Sequence, residues 1–351
     1  MSKFIIKVTL FLSPILLAFT LTETFFSTEK GDLLKVGYIA DLSHYDKGQV
    51  FKEEFEGKKF LTRYSEMDLN KKQKFKTLVI GDSFSEQGNY GFPNYLAEST
   101  ASPLLYLDRN FFDNPFQALV EILNGDLLDS IEIDYLVLQS VERAIPDRID
   151  VNESAALTID SLNKIKEAQK SLVGVGSNQV DKLFSDRVLK FTTINVGYIV
   201  DDNGFYSDTY VVRTKDTLFS VKNNKLLFFF DDLRAIEKNS NQERLEKLNG
   251  LFNGISAKLS EKGIKLIVLI SPDKYGVYYD EIIGKEKYPK PQFFEIFQKL
   301  PKQYLYLNSA DILKNSLHEQ KDLYFYDDTH WSPKAAKIIA REIEVLIEDS
   351  R

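Results

Sequence analysis

Three short, unbroken apolar runs constrain this chain more than any other feature: Thr77-Leu78-Val79-Ile80, Tyr135-Leu136-Val137-Leu138-Gln139 and Lys265-Leu266-Ile267-Val268-Leu269-Ile270. Each has the length of a strand and none alternates apolar with polar, so each must be covered on both faces. Segments with apolar residues at helical spacing lie between and after them: Pro115 to Leu128, Asn241 to Lys262 and Pro333 to Ile347. Strands alternating with helices predict an α/β fold, a three-layer α/β/α sandwich around a mainly parallel sheet. The stretch from Phe191 to Phe230 breaks that rhythm. There Tyr198-Ile199-Val200, Tyr210-Val211-Val212 and Leu226 to Phe230 are separated by Asp-Asn-Gly and Lys-Asn-Asn turns, which reads as an antiparallel meander. Residues from about 150 to 235 are therefore expected to be an insertion in a domain spanning 76–351, helical at first and then a small β-unit.

The N-terminus has a different character. Lys3 and Lys7 precede an apolar run from Val8 to Leu21, and Glu23 follows. This is the layout of a secretory signal or signal anchor. No small-x-small cleavage site precedes Glu23, and counting from Phe4 with a snorkelling Lys7 gives just enough length to span a bilayer. Residues 1–27 are thus expected to be an uncleaved anchor and 28–75 a leader packed on the core, with a weak strand signal from Leu34 to Ala40. The rest of the chain would lie on the outer side of the cytoplasmic membrane. With 52 acidic and 45 basic residues the net charge is -7, which offers no basic field for nucleic acid. Cysteine is absent, so disulfides, thiolate nucleophiles and sulfur-ligated metals are excluded together. Only His44, His318 and His330 can supply an imidazole, and one histidine among scattered acids gives no recognisable metal-ligand set.

The first strand ends in Gly81-Asp82-Ser83-Phe84-Ser85. That sequence puts the Ser83 hydroxyl on a tight turn at the C-terminal edge of the sheet, where open α/β folds bind ligands. Such a serine also suits the N-cap of a helix, so the turn needs a base elsewhere to mean chemistry. The segment Asp327-Asp328-Thr329-His330-Trp331-Ser332-Pro333 supplies one. A carboxylate two or three residues before His330 can accept from Nδ1–H, leaving Nε2 to take a serine proton. His318 sits in a charged stretch and His44 in the leader, with no comparable support.

Gly-Asp-Ser-Phe-Ser and the late Asp-x-His-Trp resemble the SGNH (GDSL) hydrolase superfamily and, within it, the alginate-type polysaccharide O-acetyltransferases and related Asp-His-His-Trp proteins. Ser271-Pro272-Asp273-Lys274-Tyr275, Val141-Glu142-Arg143 and Trp331 after the histidine are similar to further motifs of that branch. The resemblance implies Ser83 as nucleophile, His330 as general base and Asp328 as its orienting carboxylate, with Asp327 the alternative under the superfamily's Asp-x-x-His spacing. No Gly-x-Asn-Asp segment is present to give an oxyanion-hole asparagine. The hole would then rest on the amides of Ser83 and the Gly88 to Gly91 loop, with Asn89 or Tyr90 as side-chain donors; Arg143, Lys274 and Trp331 complete the residues expected around substrate. The resemblance further implies an acetyl-serine intermediate, no cofactor, a polysaccharide acceptor and a membrane-bound acetyl donor. The same triad would equally serve a carbohydrate acetyl-esterase, and an idle carbohydrate-binding subunit could keep the fold.

Overall fold

The computed structural model describes residues 2–26, 32–33, 47–52, 61–67, 73–172, 196–205, 207–221 and 224–351. The expected strand Leu34 to Ala40, His44 and the start of the meander at Phe191 lie outside the described residues. The N-terminal segment is one helix, α1 (Ser2–Phe26), with Pro14 inside it. Its side chains Phe4, Leu10, Phe11 and Leu17 are exposed. Among the described residues no helix is long and apolar enough to cross a membrane.

The core is built on β1 (Leu61–Arg63), β2 (Thr77–Ile80), β3 (Leu104–Leu107), β4 (Tyr135–Val141), β7 (Lys265–Ser271) and β8 (Leu305–Leu307), while β5 (Thr209–Arg213) and β6 (Lys225–Phe229) form a separate antiparallel hairpin. The six strands lie in the order β1-β3-β2-β4-β7-β8 and every pairing is parallel. The three apolar runs are its central strands, as their patterning predicts. Successive side chains of a strand point to opposite faces. Accordingly Val79, Val137 and Ile267 enter one core with α2 (Phe92–Ser99) and α8 (Pro333–Asp349), contributed by Phe92, Leu96, Ala335 and Ile339. Leu78, Leu136 and Val268 enter the other, against Phe116 of α3 (Pro115–Asn124) and Leu248 and Phe252 of α5 (Gln242–Glu261). This is the expected sandwich.

Two details depart from expectation. The edge strand β1 comes from the leader and pairs with β3, so the sheet begins before residue 76. Tyr198-Ile199-Val200 is no strand: Ile199 N donates to Val196 O and Val200 N to Gly197 O, and both side chains are exposed. A Cβ on Gly197 would meet the Gly204 backbone at 2.6 Å, so glycine at 197 permits the tight turn that replaces the strand. The hairpin of the insertion is therefore β5 and β6 alone among the described residues.

β2 lies between β3 and β4. The chain leaves β2 for one neighbour and later returns to the other. The carboxyl ends of β2 and β4 consequently open a crevice at this switch point, the position where open α/β sheets bind ligands.

Candidate active site

Ser83 follows β2 in that crevice, and the turn carrying it is held from below by two buried side chains. Gln139, fully buried in β4, accepts from Asp82 N at 2.9 Å and from Ser85 Oγ at 2.7 Å, and donates to Ser271 Oγ at 2.9 Å. The close approach leaves no space for a side chain at Gly81: a Cβ there would stand 2.1 Å from Ser85 Oγ and 2.5 Å from Gln139 Oε1. Asp82 turns the other way, accepting hydrogen bonds from Phe84 N (3.0 Å), Val141 N (2.7 Å) and Arg148 Nη1 (2.5 Å). Burial opposes its ionisation, but the Arg148 guanidinium and the two amides outweigh burial and hold the carboxyl below its ordinary value. Among the described residues the Ser83 amide donates to no acceptor, which leaves it available at the turn.

The imidazole arrives on a tight loop between β-bridged Tyr324 and Trp331. Phe325 N donates to His330 O and Ser332 N to Leu323 O. Ser332 caps α8 through Lys334 N, with Pro333 beginning the helix. On this loop Asp328 Oδ1 lies 2.7 Å from His330 Nδ1 and accepts from His330 N at 3.1 Å. His330 Nε2 lies 2.7 Å from Ser83 Oγ, across 247 residues of chain. Asp327 is turned away and pairs with Lys47 at 2.8 Å. Burial works to raise the Asp328 pKa, but the hydrogen bond and charge of His330, with Lys47 beyond, hold it well below the carboxylate range. The hydroxyl, imidazole and carboxylate thus form one continuous hydrogen-bonded chain in a partly open position. His318 is exposed on the surface.

Of the residues expected around substrate, several have other work. Trp331 is fully buried; its Nε1 donates to Phe84 O at 3.1 Å, and its carbonyl accepts from Gln87 Nε2 at 3.2 Å. It locks the histidine loop to the serine turn and cannot stack on a sugar. Lys274, at the start of α6 (Lys274–Tyr278), is equally buried and donates to the carbonyls of Phe325 (2.8 Å), Tyr326 (2.8 Å) and Asp328 (3.2 Å). All three ammonium protons are consumed in shaping the acid loop, so the expectation of a sugar contact is corrected. Burial brings its pKa down to about 7. Arg143 follows β4 and donates to Asp273 at 2.8 Å, Asp232 at 3.3 Å and Thr329 Oγ1 at 3.3 Å. It therefore joins a buried acid cluster to the residue beside His330. Gly88, Asn89 and Tyr90 form one helical turn. Gly88 has a φ of 62°, and the Tyr90 ring stands edge-on to Phe325 at 6.3 Å. The Asn89 side chain lies outside what the structure describes.

Sequence reasoning missed Gln139, although an amide in an otherwise apolar run was a visible signal. It also missed Asp32, whose Oδ2 lies 3.5 Å from His330 Nδ1. Asp32, Asp328 and His330 bring ligand-type atoms within 4.8 Å of one another. Two ligands of a tetrahedral zinc ion, each at about 2.0–2.1 Å, stand roughly 3.3 Å apart. The 2.7 Å contact of Asp328 with His330 is instead that of a direct hydrogen bond.

Residues 227–350 match a family model described as SGNH hydrolase-like domain, acetyltransferase AlgX. That span includes Asp328 and His330 and begins after Ser83. The probable alginate O-acetylase AlgJ of Pseudomonas aeruginosa is 29% identical over 113 residues, a match covering 31% of this chain and 28% of the relative. The aligned part is thus less than a third of that protein. No solved structure matches the chain. The family match and the relative support the SGNH alginate-acetyltransferase branch for this chain.

Proposed function

We propose that this chain, on the SGNH alginate-acetyltransferase branch, transfers acetyl groups to a polysaccharide hydroxyl through an acetyl-serine intermediate. The observation that carries the reading is the unbroken line from Asp328 to His330 to Ser83, with both links at 2.7 Å. A serine hydroxyl at its free pKa is a poor nucleophile, and an adjacent imidazole removes that obstacle. In the first half-reaction Ser83 Oγ bonds to the acetyl carbon as its proton passes to His330 Nε2. Asp328 holds the imidazole in the tautomer that presents Nε2 as acceptor and stabilises the imidazolium that forms. The Ser83 amide, which donates to no acceptor among the described residues, is available to the developing oxyanion. Collapse breaks the bond to the donor's oxygen, which takes the proton from His330. In the second half-reaction a sugar hydroxyl gives its proton to His330 and attacks the acetyl-serine. Ser83 leaves with that proton, and the enzyme is restored.

An extracytoplasmic location at a membrane belongs to the same proposal. The exposed apolar side chains of α1 support it, as does tether length: Asp32, beside the imidazole, is six residues past Phe26, the end of α1. Six residues reach at most about 20–22 Å. If α1 engages the bilayer, the triad works close to that surface, where a membrane-held acetyl donor can be reached.

Incubation with an activated acetyl ester, with and without an oligosaccharide acceptor, tests the reading. Acetylated sugar that is lost in Ser83→Ala is the expected product. Free acetate alone, unaffected by any acceptor, makes the chain an esterase. Acetylation that survives Ser83→Ala contradicts the catalytic reading altogether.

A further inference from the structure

The imidazole–carboxylate pair is braced by residues from the opposite end of the chain. Leu33, fully buried, donates its amide to Asp327 O at 3.1 Å and accepts on its carbonyl from Thr209 Oγ1 at 2.9 Å, tying the acid loop to β5. Fourteen positions later Lys47 begins a short helical turn, Lys47–Val50. Its Nζ lies 2.8 Å from Asp327 Oδ1, 3.7 Å from Asp328 Oδ2 and 4.4 Å from the centre of the Phe325 ring. Phe51 is fully buried and stands edge-on to the same ring at 5.1 Å. The turn is therefore seated on the acid loop by packing as well as by charge.

Two carboxylates meet one imidazole nitrogen here, and a third lies on the same loop. Asp328 Oδ1 is bonded to Nδ1, Asp32 Oδ2 lies 3.5 Å from the same nitrogen, and Asp327 is the neighbour of Asp328 in sequence. Thr329 Oγ1 donates to Asp32 at 3.3 Å and receives Arg143 Nη2 at 3.3 Å. Lys274 approaches only the Asp328 carbonyl, at 3.2 Å. Lys47 is the described cation that touches both loop carboxylates. It occupies Asp327 and the outer oxygen of Asp328, which leaves the inner oxygen for the imidazole.

We propose that Lys47 is a positioning residue of the His330–Asp328 pair, selecting Asp328 over Asp327 and Asp32 as the carboxylate that orients the imidazole. Without its charge the three acids compete for one Nδ1 proton, and the excess negative field favours the imidazolium, the form that cannot accept from Ser83. The inference rests on the proposed function for its kinetic readout but not for its spectroscopic one.

The experiment compares full-length Lys47→Met, which keeps a chain to lie on Phe325, with Lys47→Arg and wild type. Acylation of Ser83 by a nitrophenyl acetate ester is followed across pH, together with the imidazole NMR titration of His330, assigned by its loss in His330→Gln. In Lys47→Met the acylation rate on the acid limb is expected to fall roughly tenfold at a given pH, the equivalent of one pKa unit. Its acid limb and the His330 titration should both move to higher pH. Lys47→Arg should stay within about threefold of wild type, since the charge is retained. A Met variant with unchanged rate and titration, or an Arg variant no better than Met, overturns the proposal. If wild type forms no acyl-serine, the functional reading fails. The His330 titration still decides this one: a midpoint raised by Met and not by Arg upholds it, and a midpoint moved by neither defeats it.

Discussion

Exchanging the two candidate acids one at a time separates orientation from bulk charge. Asp328→Asn keeps the shape of the side chain but presents an amide to His330 Nδ1 at a distance of 2.7 Å. At that distance two unit charges attract by about 6 kcal/mol with an effective dielectric near 20, which is a ceiling. Asp328 and His330 side chains are 17% and 20% exposed, so water reduces the figure. A loss of roughly 4 kcal/mol from the imidazolium-forming step corresponds to about a thousandfold in rate, since each 1.36 kcal/mol is tenfold. Asp327→Asn removes a carboxylate whose side chain faces Lys47 at 2.8 Å rather than the imidazole, and should cost less than about tenfold. Pre-steady-state release of nitrophenol measures the acylation step in both variants, with thermal unfolding as a control for folding. Equal losses, or a larger loss in Asp327→Asn, would refute the assignment of roles drawn from the loop geometry.

Other consequences follow from the buried supports. Gly81→Ala forces a Cβ to within 2.1 Å of Ser85 Oγ and should destabilise the fold by about 1–3 kcal/mol, read as a lowered denaturation midpoint. Lys274→Met takes its ammonium donor away from the carbonyls of Phe325, Tyr326 and Asp328, so it should cost about 3 kcal/mol in stability and lower the acylation rate, with no selective change in acceptor KM. Stability should fall with acid, because Asp82 and Asp328 have depressed pKa values: their contribution is present above the ordinary carboxylate value and is lost as pH drops through the folded values. Glu142 acts with the opposite sign. Burial raises its pKa from 4.5 to about 7, so stability declines as pH rises across that interval, by roughly 3 kcal/mol at 1.36 per unit. Urea denaturation of Glu142→Gln between those pH values should show a shallower decline, the remainder coming from Asp232 and Asp273, which burial also pushes up.

The sheet was legible because a strand covered on both faces needs an uninterrupted apolar run, and Thr77–Ile80, Tyr135–Gln139 and Lys265–Ile270 have little other use. The short edge strand Leu61–Arg63 carries no such run and was invisible; its place comes from pairing with Leu104–Tyr106. Tyr198–Val200 has strand composition, but Gly197 and Gly204 permit a turn that local propensity does not reveal. At the site, Ser83, Asp328 and His330 could be singled out because their spacing and turn context are local. Trp331 and Lys274 were assigned to substrate on sequence context alone, whereas depth decides their roles: both are fully buried. Asp32 and Lys47 bear no local sign of their task. The meaning of Lys47 depends on contacts with Asp327 and Asp328, and that of Asp32 on one with His330, all nearly 300 residues away.

The central claim is that Ser83 carries the acetyl group between donor and acceptor. Rapid-quench peptide mass analysis after mixing with an activated acetyl ester measures this directly. The expected result is an acetyl increment on the peptide containing Ser83, absent in Ser83→Ala, greatly slowed in His330→Gln and discharged when an oligosaccharide is added. An increment that never appears while substrate turns over, or that appears on another residue and persists in Ser83→Ala, would contradict it.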